Sequence, residues 1–68
     1  MTPTPRQMGK ALKRIREAKG LSQAAVAKRA RLTREYVNKL EAGRYDPPLS
    51  TINALARALG VPVTELLE

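Results

Sequence analysis

The segment from Ser22 to Gly43 constrains the fold of this chain more than any other feature. It has the sequence SQAAVAKRARLTREYVNKLEAG, in which Ser22 and Thr33 each precede a run with apolar residues at helical spacing. A serine or threonine in such a place caps a helix, because its side-chain oxygen accepts a hydrogen bond from a free backbone N–H. The apolar faces consist of Val26, Ala27 and Ala30, of Val37 and Leu40, and of Leu32 at the corner between them. The segment therefore predicts two short helices joined by a tight turn.

Burial of those faces leaves the polar residues of the second helix, predicted to span 33–42, on the outside. In a helix-turn-helix the second helix lies in the major groove of DNA. The candidate base-contacting residues are Arg34, Glu35, Asn38 and Lys39. Arginine can donate two hydrogen bonds to guanine, and glutamate can accept one from cytosine. Asn38 could bind adenine or a phosphate, Lys39 could bind guanine or a phosphate, and Glu35 could instead orient Arg34 or Lys39.

Further helical signals occur on both sides of this segment. Thr4-Pro5-Arg6-Gln7 has the pattern of a capping box with proline at the first helical position. Gly20 is expected to end that first helix. Ser50 is expected to cap a fourth helix that stops at Gly60, and Pro62 to open a short fifth one. No useful stretch alternates with the period of two typical of a strand.

The chain has 68 residues, enough for one domain with a modest core. We therefore predict an all-α fold, a compact five-helix domain over residues 1–68 with a central helix-turn-helix and with residues 1–4 flexible. Cysteine and histidine are absent, so we expect no metal site, no cofactor and no enzymatic activity. No apolar run approaches the length of a membrane span, and the first residues do not form a secretory signal. These features predict a cytoplasmic protein.

The positive charge is concentrated in one part of the chain. Residues 1–44 hold 12 Lys and Arg against three Glu, whereas residues 45–68 hold one Arg against three acidic residues, within a total of +7. Lysine and arginine can simply solvate helix faces. The asymmetry, together with the helix-turn-helix, favours a polyanionic partner such as nucleic acid.

Arg31 stands where the chain must reverse between the two short helices. Such a turn often needs a left-handed backbone, which glycine adopts freely and arginine adopts at a cost of about 1 kcal/mol or more. Either Arg31 accepts this strain or the turn has another geometry.

A set of positions at consistent spacing extends the pattern over almost the whole chain: Leu21-Ser22-Gln23, Val26-Ala27, Leu32-Thr33-Arg34, Val37, Leu40-Glu41-Ala42-Gly43, Pro47, Leu55-Ala56 and Ala58-Leu59-Gly60-Val61. With this set, the chain resembles the lambda-repressor-like family of helix-turn-helix domains, also called the Xre/Cro family. The resemblance implies a five-helix domain that binds operator DNA, usually as a two-fold dimer, in an intracellular protein of bacterial or phage type. Arg31 replaces the family's common turn glycine, and Pro62 replaces its usual Ser or Thr cap.

The resemblance also implies roles for three side chains. Gln23, at the start of the second helix, would bind a phosphate together with the helix N-terminus. Arg16, late in the first helix, would form an ion pair with Glu41 that locks two elements together.

Other polar residues near the second helix are candidates for phosphate contacts. Thr33 is expected to cap the helix and to reach a phosphate as well. Tyr36 lies at helical spacing with apolar residues, so it could be half-buried or lie at the groove edge. Arg44 and Tyr45 follow the helix in a loop and are expected to contact the DNA backbone.

The last residues are more apolar than a solvated terminus needs. We expect some of them to cover the core and some to meet a second copy across a two-fold axis; the candidates are Val61, Val63, Leu66 and Leu67. The half-sites of a pseudo-palindromic operator would then lie about 34 Å apart.

Two functions remain open from the sequence. The first is a sequence-specific double-stranded DNA-binding regulator, most simply a repressor. The alternative is an antitoxin-like or adaptor subunit that acts mainly through a protein partner. A cationic membrane-surface helix fits poorly, because the chain has two Tyr, no Trp and no Phe.

Overall fold

A computed structural model describes residues 3–67 and contains five helices in that range. They are α1 Pro5–Ala18, α2 Gln23–Ala30, α3 Arg34–Glu41, α4 Leu49–Leu59 and α5 Thr64–Leu67. No strand occurs among these residues, and the predicted all-α, five-helix fold is confirmed. Within the same range, no helix combines the length and the apolar character needed to cross a membrane. The flexibility expected for residues 1–4 falls partly on residues 1 and 2, which lie outside the described residues.

The first three helices begin at the predicted hydroxyl caps. At α1 the capping box is complete, since the backbone N–H of Gln7 donates to Thr4 Oγ1 at 3.1 Å and that of Thr4 donates to Gln7 Oε1 at 2.9 Å. Ser22 accepts from the N–H of Ala25 at 3.0 Å, and Thr33 accepts from that of Tyr36 at 3.1 Å. Local hydrogen bonding therefore fixes where these helices start.

The starts predicted for the last two helices are wrong. Pro48, with φ −65° and ψ 160°, is the N-cap of α4, and Ser50 lies inside the first turn. The proline ring already holds the φ that a helix start requires, so α4 begins before the serine. Pro62 does not open α5; Glu65 N–H donates to its carbonyl at 3.0 Å, in a tight turn that precedes Thr64.

The core lies where the five helices meet. α3 packs against both α1 and α2, while α4 covers α2 and α5 covers α1. The fully buried side chains come from all five helices and are Leu12, Val26, Val37, Leu40, Leu55 and Leu66. Since α3 is held from two sides, its remaining side is the one that presents polar residues outward.

Leu66, one of the four candidates for covering the core or for meeting a second copy, belongs to the core. Its side chain is 0% exposed, because α5 folds back onto α1 and inserts it into the core. Val61, Val63 and Leu67 also pack against the core, but each stays partly accessible. Their contact with a second copy stays a prediction.

The turn between α2 and α3 keeps a left-handed residue. Arg31 has φ 59° and ψ 40°, and the Leu32 N–H donates to the Ala27 carbonyl at 2.8 Å. This is a Schellman ending, the same arrangement that glycine provides at the ends of α1, α3 and α4. Arg31 therefore accepts the strain, and the turn geometry does not change.

We expect Arg31→Gly to stabilise the chain. Glycine adopts the left-handed backbone without the clash of a Cβ, so the gain is about 1 kcal/mol, or a rise in the melting temperature of roughly 4–8 °C. Thermal unfolding followed by circular dichroism measures it. Arg31→Ala removes the same charge but keeps the clash, so its melting temperature should stay close to that of the original chain. An equal rise in both variants would assign the gain to charge instead of strain.

Candidate nucleic-acid interface

The four predicted base-contacting residues lie together on the outer side of α3. Arg34, Glu35, Asn38 and Lys39 line one concavity of about 240 Å³. Arg34, Glu35 and Asn38 are exposed and Lys39 is half-buried. Residues three and four positions apart lie on the same face of a helix, so the helical spacing of these four residues explains why their side chains lie together. Contact of these residues with bases stays a prediction.

Two tyrosines, one on α3 and one in the loop that follows it, contact each other. Tyr36 is partly buried against the core, and its ring centroid lies 5.7 Å from that of Tyr45 at an interplanar angle of 31°. Lys39 Nζ lies 5.9 Å from the Tyr45 ring centroid, within the range of a cation–π contact. The loop after α3 thus folds back onto the helix and restrains Lys39. Tyr36 has the half-buried position that the sequence left open, and its phosphate contact is untested, as are those of Tyr45, Thr33 and Arg44.

A bidentate ion pair anchors α3 to α1, as the resemblance implied. Arg16 Nε donates to Glu41 Oε2 at 2.6 Å, and Arg16 Nη2 donates to Glu41 Oε1 at 3.0 Å. The side chains are only 11% and 4% exposed. The hydrogen bond to Glu41 raises the pKa of the Arg16 guanidinium, and burial opposes that shift only in part. Arg16 also donates to the Leu21 carbonyl at 2.8 Å, so one guanidinium joins α1, the following turn and α3.

Gln23 belongs to a hydrogen-bond network that sequence reasoning missed. Its Nε2 donates to Glu41 Oε1 at 3.0 Å, and its Oε1 accepts from Asn38 Nδ2 at 3.3 Å. The position of Gln23 at the start of α2 suggested only a phosphate contact. Its partners come from α3, so they are set by helix packing and carry no local sequence signal. The phosphate contact of Gln23 stays a prediction.

Lys13 is a second residue that sequence reasoning did not select. It lines a polar depression of about 160 Å³ with Gln23, Asn38, Glu41 and Ala42. Its helical position on α1 gave no hint that it lies beside α3.

The interface side carries many cations that lack an acidic partner. Within residues 3–67, both ion pairs with an N···O distance of 4.0 Å or less involve Arg16. Among these residues, no carboxylate therefore lies within that distance of Arg34, Lys39 or Arg44. Their charge remains available to a polyanion.

The helix-turn-helix family model matches residues 7–68. An immunity repressor protein of Bacillus phage phi105 is 40% identical over 60 residues, which cover 88% of this chain and 42% of the repressor. An HTH-type transcriptional regulator of Sinorhizobium fredii is also 40% identical over 60 residues, 88% of this chain and 78% of that protein. The chain thus spans less than half the length of the phage repressor.

A solved structure shows the same architecture. The restriction-modification controller protein C.AhdI from Aeromonas hydrophila superposes with a TM-score of 0.90 at 38% sequence identity, over 93% of this chain and 96% of that one. The family match, the relatives and this superposition all indicate that α2 and α3 form a helix-turn-helix. The chain belongs to the helix-turn-helix family of lambda-repressor-like, Xre/Cro-type domains.

Proposed function

We propose that this chain binds double-stranded DNA in a sequence-specific manner and regulates transcription, as a repressor, with α3 in the major groove. The observation that carries the proposal is the concavity on the outer side of α3, lined by Arg34, Glu35, Asn38 and Lys39. These side chains offer donors and acceptors that can match base edges. The relatives, an immunity repressor and an HTH-type transcriptional regulator, support the same role. The proposal includes no enzymatic activity and an intracellular site of action.

Base recognition and backbone contact belong to different residues in this proposal. The four residues of the α3 concavity provide specificity, because only base edges carry sequence information. Contacts with the sugar-phosphate backbone provide affinity that falls as salt rises. We assign those contacts to Gln23, Thr33, Tyr36, Arg44 and Tyr45.

We also propose that two copies bind a pseudo-palindromic operator. The partly exposed apolar residues Val61, Val63 and Leu67 near the end of the described range support a contact between copies. Sedimentation of the chain alone and with a duplex of two half-sites would test this stoichiometry. A single copy on each such duplex would contradict it.

Arg34→Ala and Arg44→Ala are expected to weaken DNA binding in different ways. Loss of a bidentate base contact should cost about 1–3 kcal/mol on the specific duplex and relax the preference at one base pair. Loss of a phosphate contact should weaken all duplexes alike and lower the salt dependence by about one unit of slope. Selection of duplexes from a random pool would first define the specific sequence, and titrations at several salt concentrations would then separate the two effects.

Arg57→Ala serves as the control for charge, because Arg57 lies on α4 and carries the same charge. It should bind specific and random duplexes nearly as the original chain does. Equal losses on specific and random DNA for Arg34→Ala would contradict its contact with bases. Failure of the original chain to bind any duplex at low ionic strength would overturn the proposed function and favour the protein-partner alternative.

A further inference from the structure

A series of hydrogen-bonded side chains connects the interior of the molecule to the candidate DNA-binding face. It starts at Arg16, passes through Glu41 and Gln23, and ends at Asn38. The inner members are almost inaccessible, at 11% exposure for the Arg16 side chain and 4% for that of Glu41. Asn38 is exposed beside Arg34 in the α3 concavity. The arrangement therefore connects a buried ion pair to one of the proposed base-contacting residues.

The chemistry of the ion pair fixes the direction of every hydrogen bond in this series of four side chains. A guanidinium only donates and an ionised carboxylate only accepts. Gln23 must therefore turn its NH₂ group toward Glu41, which it meets at 3.0 Å. That leaves the Gln23 carbonyl oxygen facing Asn38, and Asn38 can meet an acceptor only with its own NH₂, at 3.3 Å. An isolated amide can turn over, but both amides here have one orientation that satisfies the network.

The fixed orientation determines what Asn38 can offer to a base. One hydrogen of its NH₂ group is used on Gln23, so one N–H donor and the Oδ1 acceptor remain. Adenine presents one acceptor, N7, and one donor, the N6 amino group, in the major groove. Guanine presents two acceptors there, which an asparagine with a single free N–H cannot both satisfy. The remaining groups of Asn38 are those that match adenine.

We propose that Gln23, held by Glu41, is a positioning residue that orients the amide of Asn38 for recognition of adenine. This inference rests on the proposed function, since it assigns a base preference to a residue of that same site. It also gives Gln23 a role in specificity, beyond the affinity that a phosphate contact would supply. Water cannot easily substitute for the inner bonds, because the carboxylate that orients Gln23 is buried.

Gln23→Met tests this role, because methionine has a similar length but cannot form either hydrogen bond. Selection from a random duplex pool is expected to show a strong preference for adenine at one base pair with the original chain. That preference should fall by about tenfold or more in Gln23→Met, while the preference at the pair contacted by Arg34 is retained. Asn38→Ala should lose the same preference, and the double variant should lose no more than either single one. Gln7→Met removes a glutamine from the capping box of α1 and controls for the substitution itself.

An exchange of the amide and the carboxylate between positions 23 and 41 tests whether the adenine preference can be restored. Gln23→Glu alone brings two carboxylates together and removes the donor that Glu41 requires. Combined with Glu41→Gln, it restores a donor between the two positions and keeps an acceptor facing Asn38. The pair should regain the adenine preference that Gln23→Glu loses. Because Glu41→Gln also removes the counter-ion of Arg16, thermal unfolding of each variant sets a temperature at which all of them are folded, and binding is compared there.

The outcomes separate this inference from the proposed function. A uniform loss on all duplexes in Gln23→Met, with every base preference unchanged, would overturn the inference and leave Gln23 as a phosphate contact. Absence of binding to any duplex by the original chain would overturn the proposed function and this inference together. Nuclear magnetic resonance of the free chain gives an independent readout, since the loss of the hydrogen bond to Gln23 should shift the resonances of the Asn38 side-chain amide in Gln23→Met. Asn38 side-chain amide resonances that are unchanged in Gln23→Met would also overturn the inference.

Discussion

Glu41→Ala is expected to remove most of the folding stability of this chain. The Glu41 carboxylate accepts three hydrogen bonds, two from Arg16 and one from Gln23. Its loss would leave a guanidinium that is 11% exposed without its counter-ion. Breaking a buried pair by removal of one partner costs about 3–5 kcal/mol. A domain of this size has a total stability on the order of 3–10 kcal/mol, so the loss is comparable to the whole.

Urea denaturation of Glu41→Ala beside the original chain measures the effect. Glu17→Ala is the matched control, because Glu17 is the other acidic neighbour of Arg16, at 4.0 Å, with a side chain that is 59% exposed. An exposed pair of this kind contributes about 0–1 kcal/mol, so Glu17→Ala should unfold at nearly the original midpoint. Equal and small shifts in both variants would show that the Arg16–Glu41 pair does not hold α1 to α3.

Gly9→Ala is expected to have the second largest effect. A Cβ at Gly9 would overlap the carbonyl oxygen of Leu40 and lie 2.9 Å from that of Glu41. Alanine is the better helix former by about 1 kcal/mol, yet the clash is with backbone atoms that cannot rotate away. Overpacking of this kind costs about 1–3 kcal/mol or more, so α1 and α3 should separate and the net stability should fall.

The melting temperature of Gly9→Ala should decrease by roughly 4–8 °C for each kcal/mol lost. Lys10→Ala changes the adjacent, exposed position of α1 and should stay within about 0.5 kcal/mol of the original chain. A melting temperature for Gly9→Ala equal to or above the original would mean that helix propensity dominates and that the two helices do not approach this closely.

The starts of the helices show how far local signals reach. Ser22 and Thr33 cap their helices as predicted, because a cap bonds to a backbone N–H three residues away. Ser50 does not, because Pro48 has already set the backbone for α4. Two local signals competed there, and neither residue by itself showed which would prevail.

The candidate site also contains some residues that local sequence patterns predict and others that only helix packing brings together. Arg34, Glu35, Asn38 and Lys39 could be grouped from the sequence, since helical spacing places them on one face and the structure brings them together. The partners of Gln23 could not be found in this manner. They depend on the position of α2 relative to α3, and so does the approach of Lys13 to the same depression.

The sequence by itself determined five helices, three of their caps and the polar face of α3, because each of these depends on hydrogen bonds or periodicity within a few residues. Only the tertiary structure decided that Leu66 belongs to the core and that Gln23 joins Glu41 to Asn38. Those contacts join residues far apart in the chain. Their geometry follows from how close-packed helices settle against one another, which no single segment encodes.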